Sequence, residues 1–202
     1  LTLAAGLFAA TTAFAADPVE GVWKTAPDDN GNTYVSAVTN SKDSTLVKLS
    51  QDGTIVWTKI VTCTSSTQAR DVSYSAKGTI FMIGALFSGT ITFNGVSVTR
   101  NSASMYLVEY SPEGQELWFT TIKGSSGSVV SAYDNDIYLA GTFSAAKFDN
   151  FQVNKGGTAD DIFITKYSKD LVDCTSQDYM NTDECIMKAA CVVNEQCTCI
   201  SG

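Results

Sequence analysis

The chain of 202 residues contains no histidine. That removes the commonest general base and the commonest metal ligand, and with them any Ser-His or Cys-His catalytic pair. Positive charge is also scarce: 13 Lys and Arg stand against 21 Asp and Glu, for a formal net charge of −8. Such a chain repels polyanions, so neither nucleic acid nor an anionic membrane is an expected partner. What is present is a globular balance, 44% apolar and 17% charged residues, enough for one domain with a core and a small appendage.

The first residue is Leu1 rather than Met, as in a sequence lacking its true start. The opening stretch LTLAAGLFAATTAFAADP is apolar, rich in Ala and too short to span a bilayer, so no membrane insertion is expected. It runs into Ala13-Phe14-Ala15, the small-x-small pattern that signal peptidase cuts. Residues 1–15 are therefore read as part of a secretory signal, with the mature chain starting near Ala16, and the protein is expected outside the cell or on its surface. Cysteine usage points the same way. Cys63 lies alone, whereas Cys174, Cys185, Cys191, Cys197 and Cys199 crowd into the last 29 residues. In an oxidising compartment six cysteines form a disulfide framework, with 15 full pairings open. Cys197 and Cys199 are too close to pair easily with each other. Cys63 would tie the body to the tail or to another molecule.

Three apolar runs look alike: GNTYVSAV (31–38), KGTIFMIGAL (77–86) and DNDIYLAGTF (134–143). With Tyr34, Phe81 and Tyr138 aligned, Ala37, Gly84 and Gly141 coincide. Each run follows a turn signal, Asp29-Asn30-Gly31, Lys77-Gly78 or Asp134-Asn135, and reads as a strand buried on both faces. A second set, STLVKLS (44–50), MYLVEYS (105–111) and IFITKYS (162–168), aligns at Leu49, Tyr110 and Tyr167. The first two then pass through Gln51-Asp52-Gly53 or Pro112-Glu113-Gly114 into a strand carrying Trp57 or Trp118. The second and third copies hold an extra strand between the two sets, GTITFNGVSVT (89–99) and AKFDNFQVNK (146–155). Each copy thus contains about four short strands, and a lone sheet of that size cannot bury both faces. Copies must pack face to face, and radial packing of such sheets gives a β-propeller. The rings of Trp57 and Trp118 are expected to fill the space between neighbours, with Tyr34, Phe81 and Tyr138 in the buried runs. Gly84 and Gly141 are expected where the inner strands crowd together.

The segments DDNGNTYVSAVTNSKD, LVKLSQDGTIVW and DDIFITKYSKD resemble the bacterial β-propeller repeat over about residues 28–170. The family's inner-strand Gly is Ala37 in the first copy, and the third copy has no Trp after Lys169-Asp170. The resemblance implies a secreted or surface-displayed propeller and carries over no catalytic residue. The expected fold is all-β: about three four-stranded blades, open or incomplete, over residues 16–170, followed by a small disulfide-rich segment at 171–202. A closed propeller has more blades than three, so copies of the chain itself, or further blades of a longer chain, are expected neighbours. In the tail, Thr182 before DECIMKAA reads as the N-cap of a short helix held by cross-links. That tail would dock on the last blade or the next subunit, or be a stapled terminus with no partner.

Chemistry finds little purchase. DDNGN (28–32) suggests a Ca²⁺ loop, but counted from Asp28 the EF-hand's Gly and Glu positions hold Thr33 and Thr39. Asp160 and Asp161 are adjacent, and adjacent strand residues point to opposite faces. Cys185, Cys191, Cys197 and Cys199 could be drawn as a thiolate zinc site, against which oxidation competes. Gly21-x-Trp23 resembles the opening of lipocalin-type barrels, although a barrel predicts no repeat. The sequence therefore predicts no catalytic residue, metal or cofactor. It predicts a secreted binding or display protein whose partner is an extracellular protein or glycan. The alternative is a self-assembling fibre or ring subunit, joined through blade edges and the cysteine-rich tail.

Overall fold

Four hairpin turns share one hydrogen-bond pattern. In Asp28–Asn32, Ser50–Thr54, Ser75–Thr79 and Ser111–Gln115 the first N–H donates to the fifth carbonyl. The fourth residue's N–H returns to the first carbonyl. That fourth residue is always glycine, at φ between 79° and 85° for Gly31, Gly53, Gly78 and Gly114, where a Cβ would be strained. A polar side chain at the first position braces all four turns from within: the Asn30 and Asn32 amides donate to Asp28 Oδ1, the Thr79 amide to Ser75 Oγ, and the Glu113 and Gln115 amides to Ser111 Oγ, while Ser50 Oγ donates to the Thr54 carbonyl.

The computed structural model describes residues 19–39, 43–133, 136–148, 151–154, 156, 160–168 and 190–192. They form fifteen strands and, among the described residues, no helix. The first set is β1 (Val19–Pro27), β2 (Thr33–Thr39), β3 (Asp43–Leu49) and β4 (Ile55–Cys63), paired in chain order as an antiparallel meander. The second set contains β5 (Ser66–Tyr74), β6 (Ile80–Phe93), β8 (Ser104–Tyr110) and β9 (Glu116–Lys123), paired in the same sense. The third contains β10 (Ser125–Tyr133), β11 (Asp136–Phe143), β14 (Asp161–Ser168) and β15 (Ala190–Val192). One strand of the 171–202 segment thus completes the third meander.

The registers repeat. Tyr34 faces Lys48, Phe81 faces Glu109 and Tyr138 faces Lys166 across the second and third strands of their meanders. Ala37, Gly84 and Gly141 likewise face Thr45, Tyr106 and Phe163. The first strand is bulged at one equivalent place each time, between Val22 and Lys24, Ala69 and Asp71, and Gly127 and Val129. Such bulges bend and twist an edge strand and pin its register.

Each extra strand of the second and third copies is in fact a hairpin. β6 runs on to Phe93 and returns as β7 (Val96–Arg100), and β12 (Ala145–Phe148) pairs with β13 (Phe151–Asn154). At the first of these, Asn94 and Gly95 both take positive φ, 48° and 75°, the conformation that lets two residues reverse a twisted ribbon. Beyond Gly89 the long strand β6 leaves its own meander and pairs with β4, Cys63 facing Ile91. The first two meanders therefore share one nine-stranded antiparallel sheet. The sheet is strongly curled into a half-barrel.

Each meander has a leading face, toward the next meander, and a trailing face. Tyr34, Leu46 and Val61 of the first leading face form one core with Ile80, Met82, Tyr106, Val108 and Tyr110 of the second trailing face. Phe81, Ile83, Met105 and Leu107 of the second leading face form another with Ile137, Leu139, Phe163 and Tyr167 of the third. Residues 1–15, read as a signal, the helix expected from Thr182, the turn expected at Asp134-Asn135 and Cys174, Cys185, Cys197 and Cys199 lie outside the described residues. Among the described residues no helix is long and apolar enough to cross a membrane.

Candidate functional site

The residues singled out by the repeat converge on two seams between meanders. At the first, the Trp57 ring lies 5.9 Å from Tyr34 and 6.4 Å from Tyr110, and Tyr34 stacks on Tyr74 at 6.0 Å. The indole N–H of Trp57 and the ammonium of Lys48 both donate to the Pro112 carbonyl, at 3.0 and 2.9 Å. One turn of the second meander is thereby fastened to the first. The same ammonium sits 5.5 Å over the Tyr34 ring, a cation–π distance. At the second seam Trp118 lies 5.1 Å from Tyr167. Tyr110 and Tyr167 are equivalent positions, as are Trp57 and Trp118, so one contact occurs twice.

Gly84 and Gly141 are close-approach positions. A Cβ on Gly84 would stand 2.1 Å from the Gln68 carbonyl oxygen and 2.5 Å from Tyr106 Oη. On Gly141 it would stand 2.1 Å from the Ser126 oxygen and 2.8 Å from the Phe163 ring. The first meander has Thr45 in place of the ring, and there Ala37 is accommodated.

Tyr138 departs from its equivalents. Tyr34 and Phe81 are buried, whereas Tyr138 is 42% exposed, because no described meander covers the third leading face. Cys63 is a free thiol here, its Sγ 3.7 Å from the Ser88 carbonyl. Cys191 lies in β15 opposite Lys166, the register position that Trp57 and Trp118 hold opposite Lys48 and Glu109.

The sequence reading missed Asp71 and Ser73. Asp71 is buried on β5; its Oδ2 accepts the Val130 N–H of β10 at 3.0 Å and its Oδ1 the Val72 N–H at 2.9 Å. Ser73 Oγ accepts the Ala132 N–H, also at 3.0 Å. The free edge of the third meander is thus capped by side chains of the second, which removes a template for strand addition. The only signal in the sequence was an acidic residue inside a strand pattern, and that looks like a solvent-facing position.

No known family profile and no curated protein matches the chain. Its chemistry must therefore be read from its own side chains. Among the described residues, no three His, Cys, Asp or Glu side chains converge as a metal site requires. The buried tyrosines are perturbed mainly by loss of water around the ring hydroxyl, that is, by burial. It pushes the Tyr106 and Tyr110 hydroxyls up, and Tyr34 is raised by burial and by the neighbouring Asp28. The Tyr106 and Ser44 hydroxyls lie near each other, but neither has a partner in hydrogen-bonding geometry.

The Tyr110 hydroxyl is likewise buried without a partner. Its ring meets Phe93 edge-on at 5.1 Å, a contact that phenylalanine would keep. Tyr110→Phe is expected to raise stability by about 1 kcal/mol, because an unmade buried hydrogen bond is removed at no loss of shape. A loss of stability in urea unfolding would show instead that the hydroxyl is satisfied.

Asp28 supplies a pH dependence at the rim of the first seam. Burial pushes its carboxyl up, but hydrogen bonds from the Asn32 side chain and the Asn32 and Asn30 amides, with the charge of Lys48, outweigh burial. They hold it below the ordinary 3.8. A carboxylate so depressed stabilises fully above its unfolded value, and that contribution disappears as pH falls through the folded one. Hydrogen exchange at Asn30 and Asn32 is therefore expected to lose protection below about pH 4 in the native chain. In Asp28→Ala the protection should be low at every pH; an acid-independent native turn would refute the assignment.

Proposed function

We propose that this chain is a secreted, non-catalytic β-propeller-type repeat protein serving extracellular binding or structural display. Its three meanders are blades, packed leading face to trailing face. The observation that carries the reading is the recurrent seam: Trp57 on Tyr110, then Trp118 on Tyr167, at matched registers in successive meanders. A half-barrel formed by one closed ligand-carrying sheet, the lipocalin-like reading of Gly21-x-Trp23, gives no reason for a seam to occur twice. Half-buried Trp57 and Tyr74, beside Lys48 and Asp28, support a glycan or protein partner at this rim. Exposed ring faces stack on sugars while the flanking charges accept and donate hydrogen bonds.

Two measurements test the reading. Expressed with its N-terminal segment in a secreting host, the chain should reach the medium, be cut after Ala15 and have its tail thiols oxidised. Retention inside the cell with reduced thiols would refute export. In an experimental structure, the operation carrying the first meander onto the second should be repeated from second to third about one axis. Unrelated axes would refute the blade assignment.

A second reading is favoured by the bare leading face of the third meander. In it the chain is a self-assembling extracellular ring or fibre subunit, joined through blade edges and the cysteine-rich tail. A large species that collapses in reductant would support it, and a monomer in both conditions would exclude it.

A further inference from the structure

The exposed apolar side chains of this molecule are not scattered. Of the nine large hydrophobic residues with substantial exposure among the described residues, Val129, Tyr133, Tyr138, Ile162 and Ile164 are five. All five lie on one face of three adjacent strands: Val129 faces Ala140, Ala140 faces Ile164, and Tyr138 faces Lys166 across the ladders of β10, β11 and β14. Ile162 and Ile164 are 76% and 60% exposed. The equivalent residues of the second meander, Met105 and Leu107, are fully buried against the third. An apolar face of this extent, rimmed by polar residues, marks an interface.

We infer that the leading face of the third meander is a dimer interface, covered by the same face of a second copy about a two-fold axis. Head-to-tail stacking would need the trailing face of a partner's first meander. That face is already shielded, with Val35, Val47 and Leu49 at 1%, 0% and 4% exposure. The leading face is, in contrast, complementary to itself in charge. Asp136 and Lys166, joined at 2.7 Å, flank the apolar patch on its own side of the sheet. A two-fold axis running along the strands between β11 and β14 sets the Lys166 of each copy toward the Asp136 of the other. Such an isologous contact closes on itself and stops at two chains. Two sheets meeting in this way form a sandwich. The inference puts a closed dimer in place of ring or fibre growth at this face, and it depends on neither export nor ring closure.

Sedimentation equilibrium of the purified full-length chain, kept in reductant to exclude cysteine-linked species, tests it. A monomer–dimer equilibrium is expected. Ile162→Lys and Ile164→Lys should each weaken it at least about 100-fold, because burying an unpaired ammonium opposes closure. At concentrations low enough for the native chain to be monomeric their melting curves should match it, since both positions face solvent in the free monomer. Lys166→Asp should weaken dimerisation, and the swap Asp136→Lys with Lys166→Asp should restore it. A monomer at about 100 µM, the weak limit of a specific contact, would overturn the inference. So would open-ended growth, or a dimer indifferent to the Ile164 change. A dimer seen only without reductant would overturn this interface while leaving the cysteine-linked assembly reading standing.

Discussion

Gly84→Ala is expected to destabilise the protein by about 3 kcal/mol or more, at the upper end of what overpacking a core costs. A single methyl would meet the Gln68 carbonyl oxygen at 2.1 Å and Tyr106 Oη at 2.5 Å. The carbonyl belongs to a bulged strand held by the ladder on both sides of the bulge, so it cannot retreat without breaking hydrogen bonds. The ring can yield more readily, and the first meander shows how. There the position opposite is Thr45, and Ala37 fits. Tyr106→Thr should therefore lessen the cost of Gly84→Ala, with a coupling of about 1 kcal/mol in a double-mutant cycle. Urea unfolding with an unchanged m-value is the measurement. A cost below about 0.5 kcal/mol, within the range of neutral surface changes, would mean that the close approach is absent.

Asp71→Ala should cost a similar amount, about 3 kcal/mol, by another mechanism. Removal of the carboxylate leaves the Val72 and Val130 N–H groups buried without acceptors, each loss costing about 1–3 kcal/mol. Asp71→Asn keeps one side-chain oxygen to accept but turns its own NH2 toward the other buried N–H, so it should recover only part of the loss. Hydrogen exchange gives the local signature: the Val130 amide should lose protection in Asp71→Ala ahead of amides in the first meander. Uniform loss across all three meanders would indicate global destabilisation and no special role at the second seam.

Much of the architecture was legible because the chain writes it three times. The Asp or Ser that opens a turn and the Gly that closes it recur at matched positions. Tyr34, Phe81 and Tyr138, aligned in the sequence, occupy matched positions in the three ladders. The hairpins at 89–100 and 145–154 were read as single strands, because Asn94-Gly95 sits inside what looks like continuous alternation. Asn94-Gly95 is itself a hairpin-turn signal, and the paired positive φ angles bear it out. Asp71 was illegible for a different reason: its value depends on an edge strand 59 residues away, which local pattern cannot specify. The pairing of Gly84 with Tyr106, and of Gly141 with Phe163, was present in the alignment as an aromatic wherever the partner is glycine and Thr45 where it is Ala37. The exposure of Tyr138 was not, since a residue's burial depends on whether its neighbour exists, and the third copy's sequence differs little from the second.

The β6–β7 hairpin also has a practical side. The first meander passes from β2 to β3 with no such excursion, so a meander pairs its own strands without the ribbon, which serves to link β6 to β4. A Cβ on Gly95 at its tip would touch nothing within 4 Å. That tip is a natural splice point: foreign peptide inserted between Asn94 and Gly95 would extend from a stalk anchored in the first core by Ile91 and Phe93.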